Sequence, residues 1–298
     1  MYYILSNITS GGSAKYVADL VEDYGIVHLR DKSELGVVQP DDVLLVNQLY
    51  NTNTLIGDIL NLNVKFILCV HDFCWFLQNA NEINQSCPRL TYNRGYLTCH
   101  AVDPLLQDFF LKAHLIIYPS LFCQSQYSRF FKGNYCVQPH NDLYLGPLLP
   151  IHRNLNDVIL IGSLNEWSEV KGCQFMQWLF ENVTTYKNYR VDYKFTRYTE
   201  TNWTEHVAGM HGLLHLNKYG ETYSYTLTKS LKSGLPLFYN NIGSYRERVP
   251  NHPHYMVCAE TESDVHDMGL LLTRFHAFLD YIIDQPVANT AFYDQLLE

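Results

Sequence analysis

Three short segments carry side chains whose types and spacing suit the handling of an anion and a sugar. Ser10-Gly11-Gly12-Ser13 separates an apolar opening run from a stretch of helical period that begins with Ala14 and Lys15. Paired glycines let backbone amides approach a bound anion, and a helix N-terminus adds partial positive charge. Taken alone, the segment reads equally well as a plain strand-to-helix turn. The second segment runs from Ile159 to Gly172, where an apolar run ends in a loop bearing Lys171 just ahead of a helix start. A lysine so placed can pair with phosphate oxygens, each charge-assisted hydrogen bond contributing roughly 1.5–3 kcal/mol. By itself it is an ordinary solvated lysine. The third and strongest segment is Tyr219-Gly220-Glu221-Thr222-Tyr223-Ser224, followed by a helical stretch that Gly234-Leu235-Pro236 stops. Thr222 or Ser224 can cap that helix, which sets the Glu221 carboxylate beside an anion-binding helix end. Without the other two segments, Glu221 would be read as a first-turn partner of the helix dipole.

These segments need elements to hold them. Runs rich in Ile, Leu, Val, Phe and Tyr alternate with stretches of helical period, the pattern of βαβ units in a parallel sheet. In the first half the reading gives strands near Tyr2–Asn7, Ile26–Leu29, Val43–Asn47, Lys65–His71, Leu115–Pro119 and Tyr135–Pro139. Helices fit at Ala14–Asp23, Asn53–Leu60, Pro104–Ala113 and Leu121–Phe131. The stretch after Pro139, with its prolines, glycine and turn-forming Asn and Asp, suits a linker, and the boundary is expected near residues 145–155. The second half restarts with strands near Val158–Ser163, Arg190–Thr196, Leu213–Asn217, Leu237–Asn240 and Met256–Ala259. Its helices fit at Cys173–Glu181, Thr222–Ser233 and Asp264–Ile283. The expectation is an α/β chain of two Rossmann-like domains, residues 1–150 and 151–298. A closing helix over Val287 to Glu298 has no docking site, on the first domain or elsewhere, fixed by the sequence.

Composition narrows the function classes. At 298 residues, 47% hydrophobic and 17% charged, the chain suits a folded globular protein of about two domains. Its net charge of -9 argues against a surface built for nucleic acid or anionic lipid, which needs clustered Lys and Arg. Apolar stretches are broken by charges, as at Asp108 and Lys112, so no integral membrane segment is expected. Met1 to Thr9 lacks a basic n-region and reads as a buried strand, from which a cytoplasmic location is expected. Eight dispersed cysteines without a CxxC pair are expected as reduced thiols. With neither the dinucleotide fingerprint nor the P-loop pattern, dehydrogenase and P-loop ATPase readings lose most of their support. His211 and His215 have the spacing of helical zinc ligands, yet GLLHLN reads as a strand, where such residues lie far apart, so both are expected to be structural and no metal is called.

Taken together, the three segments occur in the order and spacing of the group 1, family 4-like retaining glycosyltransferases. Gly11-Gly12 resembles that family's turn after the first strand, and Lys171-Gly172 its KG pair at the start of the second domain. Glu221-Tyr223-Ser224 resembles its acidic segment opening a helix, and Ser233-Gly234-Pro236 the turn that ends it. NNIGSYRERV (Asn240 to Val249), YPSLFCQSQYSRF (Tyr118 to Phe130) and His71-Asp72 are similar to further family segments.

The resemblance implies a GT-B type fold, two Rossmann-like domains facing a central cleft, the first on the acceptor side and the second binding the nucleotide-sugar. It implies transfer of a sugar from a nucleotide-diphosphate-sugar to an acceptor hydroxyl with retention, the nucleotide-sugar serving as co-substrate with no other cofactor and no metal. Lys171 would contact the diphosphate and Glu221 the transferred sugar, while amides of Thr222, Tyr223 and Ser224 would bind sugar and phosphate. Gly12 and Ser13 would close over the phosphates, with Gly11 beside them as a further substrate-binding candidate, and His71 would face the acceptor as a second catalytic candidate. Two positions depart from the family pattern. Lys229 stands where the family has a glutamate for the ribose hydroxyls, and Ser163 where it has an arginine. Both remain candidate substrate-binding positions. They are also the features that favour a non-catalytic nucleotide-sugar-binding relative, an interaction subunit; a GT-B-like epimerase is a more distant alternative.

Overall fold

The computed structural model describes residues 1–7, 11–47, 53–71, 90–93, 96–99, 104–139, 156–165, 167–169, 171–195, 203–261 and 263–284. The chain divides into two compact units, Met1–Asn141 and Asp142–Glu298. The expected linker near residues 145–155 and the expected closing helix lie outside the described residues.

In the first unit, β1 (Tyr2–Leu5), α1 (Gly11–Tyr24), β2 (Val27–Leu29), β3 (Val43–Asn47), α2 (Asn53–Asn61) and β4 (Lys65–Cys69) follow in order. A short antiparallel hairpin, β5 (Leu90–Asn93) and β6 (Tyr96–Cys99), precedes α3 (Pro104–Lys112), β7 (Leu115–Tyr118), α4 (Leu121–Tyr127) and β8 (Tyr135–Val137). The six-stranded sheet runs β2-β1-β3-β4-β7-β8 with every pair parallel. Parallel strands are covered on both faces, which is why VLLVN and KFILC read as continuous apolar runs rather than alternating ones. Leu44, Val46 and Leu68 are fully buried, and stacked rings tie α3 to the sheet and to the segment after α4, Phe66 on Phe109 at 4.9 Å and Phe110 on Phe131 at 4.1 Å. Each such side chain contributes roughly 1.5–3 kcal/mol by leaving water.

The second unit comprises β9 (Val158–Gly162), α5 (Cys173–Asn182), β10 (Thr185–Tyr186), β11 (Tyr189–Lys194), α6 (Trp203–Val207), β12 (Gly212–His215), α7 (Tyr225–Ser233), β13 (Leu237–Asn240), α8 (Tyr245–Arg248), β14 (Tyr255–Ala259) and α9 (Met268–Asp284). Its sheet runs β10-β11-β9-β12-β13-β14, parallel except for β10. Helix α9 places Leu271, Phe275, Phe278, Leu279 and Ile282 on one buried stripe, and Phe278 stacks on Phe238 of β13 at 5.2 Å.

In both sheets the chain lays its second parallel strand on one side of the first, then crosses to the other side. The crossing falls between β1 and β3 in the first unit and between β9 and β12 in the second. Doubly wound sheets bind ligands outside the C-terminal ends of strands at such switch points.

Several boundaries differ from the sequence reading for local reasons. Helix α1 begins at Gly11, not Ala14, so the paired glycines form its first turn instead of a turn before it. Helix α7 begins at Tyr225, not Thr222, because the Ser224 hydroxyl accepts from the Leu227 amide and so caps it there. A 3-10 turn over Lys32–Val37, the β5–β6 hairpin, β10, α6 and α8 are additions too short to show a periodicity.

Candidate functional site

The second unit's site is built where the loop after β9 and the loop after β12 meet. Gly172 caps α5 in the left-handed conformation at φ 79, and a Cβ there would stand 2.1 Å from the Leu216 carbonyl oxygen. Only glycine permits that approach. The approach carries Lys171 onto the segment between β12 and α7, where its Nζ pairs with Glu221 Oε1. The lysine side chain is 25% exposed and the glutamate 14%, so the pair is half-sheltered but open to solvent on one side.

Glu221 is fixed from behind by the loop after β13. Its backbone forms a parallel bridge with Gly243, and its carbonyl accepts from the Ser244 amide at 2.9 Å. Gly243 has φ 63, and a Cβ would come within 2.5 Å of the Glu221 amide nitrogen and the Gly220 Cα. The acidic residue is therefore held by backbone geometry that tolerates no side chain at position 243.

A buried polar network seats the N-terminal end of α7. The Thr226 hydroxyl donates to Asn165 Oδ1 at 2.8 Å, Asn165 Nδ2 to Asn217 Oδ1 at 2.8 Å, and Asn217 Nδ2 to the Tyr245 hydroxyl at 3.1 Å. The Tyr245 hydroxyl donates in turn to Ser224 Oγ at 3.3 Å. His215 bridges Tyr245 and Ser230, with its ring nitrogens 3.1 and 2.7 Å from their hydroxyls. Burial, then Lys171 and Arg248, pushes its pKa down to about 3, so the ring is neutral at pH 7. Burial raises the Tyr245 hydroxyl to about 12, which keeps it protonated as a donor. The network joins the C-terminal ends of β9 and β12 to α7. It holds the first turn of α7 at the switch point, with the amides of a helix N-terminus and the Lys171–Glu221 pair in one place.

The remaining expected residues of this unit lie deeper. Thr222 and Ser224 are buried and Tyr223 is partly so; its ring meets Tyr225 edge-on at 5.4 Å. The Ser163 hydroxyl donates to the Leu214 carbonyl at 2.9 Å and accepts from the Asn165 amide at 3.1 Å, so it locks the turn that carries Asn165. Lys229 is 1% exposed, inside α7. Sequence reasoning overlooked Asn165, Asn217, Thr226 and Tyr245. Asn165 and Tyr245 fall inside segments singled out in the sequence but without a role of their own, and the signal for all four lies in the topology that brings strand ends together.

The first unit has a smaller constellation at its own switch point. Asn47 Nδ2 donates to Ser6 Oγ at 3.0 Å and to Ser13 Oγ at 2.9 Å, while its Oδ1 accepts a hydrogen bond from His71 Nε2. The Tyr16 ring meets His71 edge-on at 4.7 Å. Burial pushes the His71 pKa down to about 3, so the imidazole is neutral at pH 7 and its Nε2 proton is committed to Asn47. Asn47, read from the sequence only as the end of a strand, is the residue that joins Ser13 on α1 to His71 after β4. Gly11 and Gly12 lie in the backbone of the first turn of α1. Among the described residues no cluster of His, Cys, Asp and Glu suits a metal ion, and no helix is long and apolar enough to cross a membrane.

No protein-family model matches the chain, and no curated protein does. Solved structures do. HepE of Anabaena, solved in complex with UDP, superposes with a TM-score of 0.55 at 11% identity, covering 94% of this chain and 93% of that one. A UDP-forming α,α-trehalose-phosphate synthase from Burkholderia xenovorans, solved with glucose-6-phosphate, gives 0.57 at 10% identity over 96% and 93%. A sucrose-phosphate synthase from Thermosynechococcus elongatus gives 0.52 at 11% identity over 89% and 69%. Likeness at such identities speaks to the fold, and together with the two sheets described above it makes the chain a pair of Rossmann-like α/β domains of the GT-B type.

Proposed function

We propose that the protein is a glycosyltransferase, hexosyltransferase-like, which moves a sugar from a nucleoside-diphosphate-sugar to an acceptor hydroxyl with retention of configuration. The observation that carries this reading is the contact of Lys171 with Glu221 at the N-terminal end of α7. A cation and helix amides suit a diphosphate leaving group, and a carboxylate held beside them suits sugar hydroxyls. The fold supports the reading by analogy, since HepE was solved with UDP and, in another crystal, with UDP and glucose.

In the proposed mechanism the Lys171 ammonium, with three donors, keeps one on Glu221 and turns others to the diphosphate oxygens. Fixed donors then neutralise the charge that develops as the nucleoside diphosphate leaves, with no metal required. Glu221 orients the transferred sugar through its hydroxyls. Ser13 and the amides of Gly11 and Gly12 are the proposed phosphate-side groups of the first unit. His71 is the proposed acceptor-side group, acting as a neutral imidazole because burial holds its pKa down to about 3.

One observation favours a second reading, a non-catalytic nucleotide-sugar binder serving as an interaction subunit. Ser163 and Lys229 stand where the resembled family has an arginine and a glutamate for the donor, and here both are buried. Nucleotide release, assayed with a panel of UDP-, GDP- and other nucleotide-sugars and glycan acceptors, separates the two. Release above the acceptor-free rate supports the transferase, donor binding without release supports the second reading, and a chain that binds no nucleotide-sugar contradicts both.

A further inference from the structure

A hydroxyl has one proton to give, and that limit fixes the direction of the hydrogen bonds around the start of α7. The single hydroxyl proton of Thr226 goes to Asn165 Oδ1. The contact of 3.0 Å between the Thr226 and Ser224 hydroxyls therefore runs from Ser224 to Thr226. Ser224 Oγ in turn accepts from the Leu227 amide at 3.2 Å and from the Tyr245 hydroxyl at 3.3 Å. Asn165 Nδ2 donates to Asn217, and Asn217 Nδ2 to Tyr245. Ser224, Thr226, Asn165, Asn217 and Tyr245 thus close a ring in which each side chain donates to the next. Turning both amides over would reverse the ring, yet in either sense the Tyr245 proton is used within it. Tyr245 has none left for His215, whose Nδ1 lies 3.1 Å from its oxygen. The His215 ring is fully buried and neutral at pH 7, so it carries one N–H. With that hydrogen on Nε2, the lone pairs of Nδ1 and the Tyr245 oxygen would face each other in a buried place. With it on Nδ1, His215 donates to Tyr245, and Nε2 accepts from the Ser230 hydroxyl at 2.7 Å.

We propose that His215 is held as its Nδ1–H tautomer and is a positioning residue for the candidate site, fixing Tyr245 and, through it, the ring. The ring ties the loop after β9, which carries Lys171, to the end of β12 and the start of α7, between which Glu221 lies. The tautomer follows from the hydrogen bonds alone, whereas the positioning role rests on the reading of the site given above.

Two readouts on the full chain test this. Long-range nitrogen–proton correlation spectra at pH 7, with the His215 signals identified by their loss in His215→Asn, report which ring nitrogen carries the hydrogen. Calorimetric titration with inorganic pyrophosphate reports on the site in the wild type, His215→Asn, His215→Gln and His215→Leu, each checked by thermal melting. The spectra are expected to show Nδ1–H. Asparagine puts an N–H where Nδ1–H stands, and its variant is expected to stay within about threefold of wild-type affinity. Glutamine reaches toward Ser230 instead, and leucine donates nothing, so both are expected to lose about tenfold. In each variant the Ser230 hydroxyl can turn back to a carbonyl of its own helix. An Nε2–H spectrum overturns the proposal whatever the titrations give. With Nδ1–H observed, asparagine as weak as leucine, or glutamine as strong as wild type, overturns the positioning role. If the leucine variant does not fold, the comparison of asparagine with glutamine decides. A folded wild-type chain with Nδ1–H that takes up no pyrophosphate overturns the reading of the site and the positioning role with it, whereas normal uptake in every variant overturns the positioning role alone.

Discussion

Lys171 and Glu221 are the residues on which the proposed chemistry turns, and their contact gives distinct expectations for each. Lys171→Met removes the diphosphate's charged donor, so nucleotide-sugar affinity measured by calorimetry should fall about ten- to a hundredfold. Glu221→Gln keeps the shape but weakens the hold on the transferred sugar. Its kcat should drop by at least about tenfold, with the affinity for the free nucleoside diphosphate little changed. Equal losses of nucleotide affinity in both variants would contradict the separate roles. Both residues were legible in the sequence because a KG pair and an acidic residue before a capped helix are local patterns. The reason the glycine must follow the lysine was not legible, since it lies in the carbonyl of Leu216 pressing on Gly172 from the loop after β12. Gly172→Ala should therefore cost about 1–3 kcal/mol in urea unfolding, from the left-handed backbone alone, and more if Leu216 cannot shift. Asn47 and Asn165 stayed invisible for the same reason: each earns its place by joining elements distant in the chain.

At the scale of elements, α7 is the part the proposed function uses, and its start is set by the Ser224 cap and the Asn165–Asn217–Tyr245 network. Ser224→Ala should destabilise the second unit by about 1 kcal/mol, read as a lowered urea midpoint. Because the cap also aims the helix end, pyrophosphate affinity should fall in the same variant. Unchanged affinity with lowered stability would mean that the cap serves the fold only. Strands were the most legible elements: Val43–Asn47 and Leu237–Asn240 carry the predicted bounds, since fully buried parallel strands announce themselves as apolar runs. Helix starts were less so. The first turn of α1 takes in both glycines, residues of low helix propensity, a tertiary outcome that propensity alone argues against.

For the whole molecule, the alternation of apolar runs and helical stretches carried the fold class, two parallel sheets with a switch point in each. What it could not carry was which side chains meet at those points, because that depends on strand order and not on sequence order. The burial of His71 and His215, the two histidines that it shifts furthest, gives the stability a pH dependence. His71 and His215 are both pushed down to about 3 by burial, from an ordinary 6.5. Between those values the unfolded chain binds the protons that the folded chain refuses, so stability is full above pH 6.5 and falls as the pH drops through the window. The slope is on the order of 1.4 kcal/mol per pH unit for each histidine while it alone titrates. Urea midpoints should be flat between pH 7 and 8 as far as these two groups are concerned and lower at pH 5.5, with His71→Asn reducing the fall. A fall of unchanged size in that variant would count against the burial argument.

The most direct measurement is a crystal of the full chain soaked in turn with UDP and GDP. The account predicts diphosphate density at the N-terminal end of α7, within hydrogen-bond distance of Lys171 Nζ and the Tyr223–Ser224 turn. Nucleotide bound elsewhere, with that helix end empty, would contradict it.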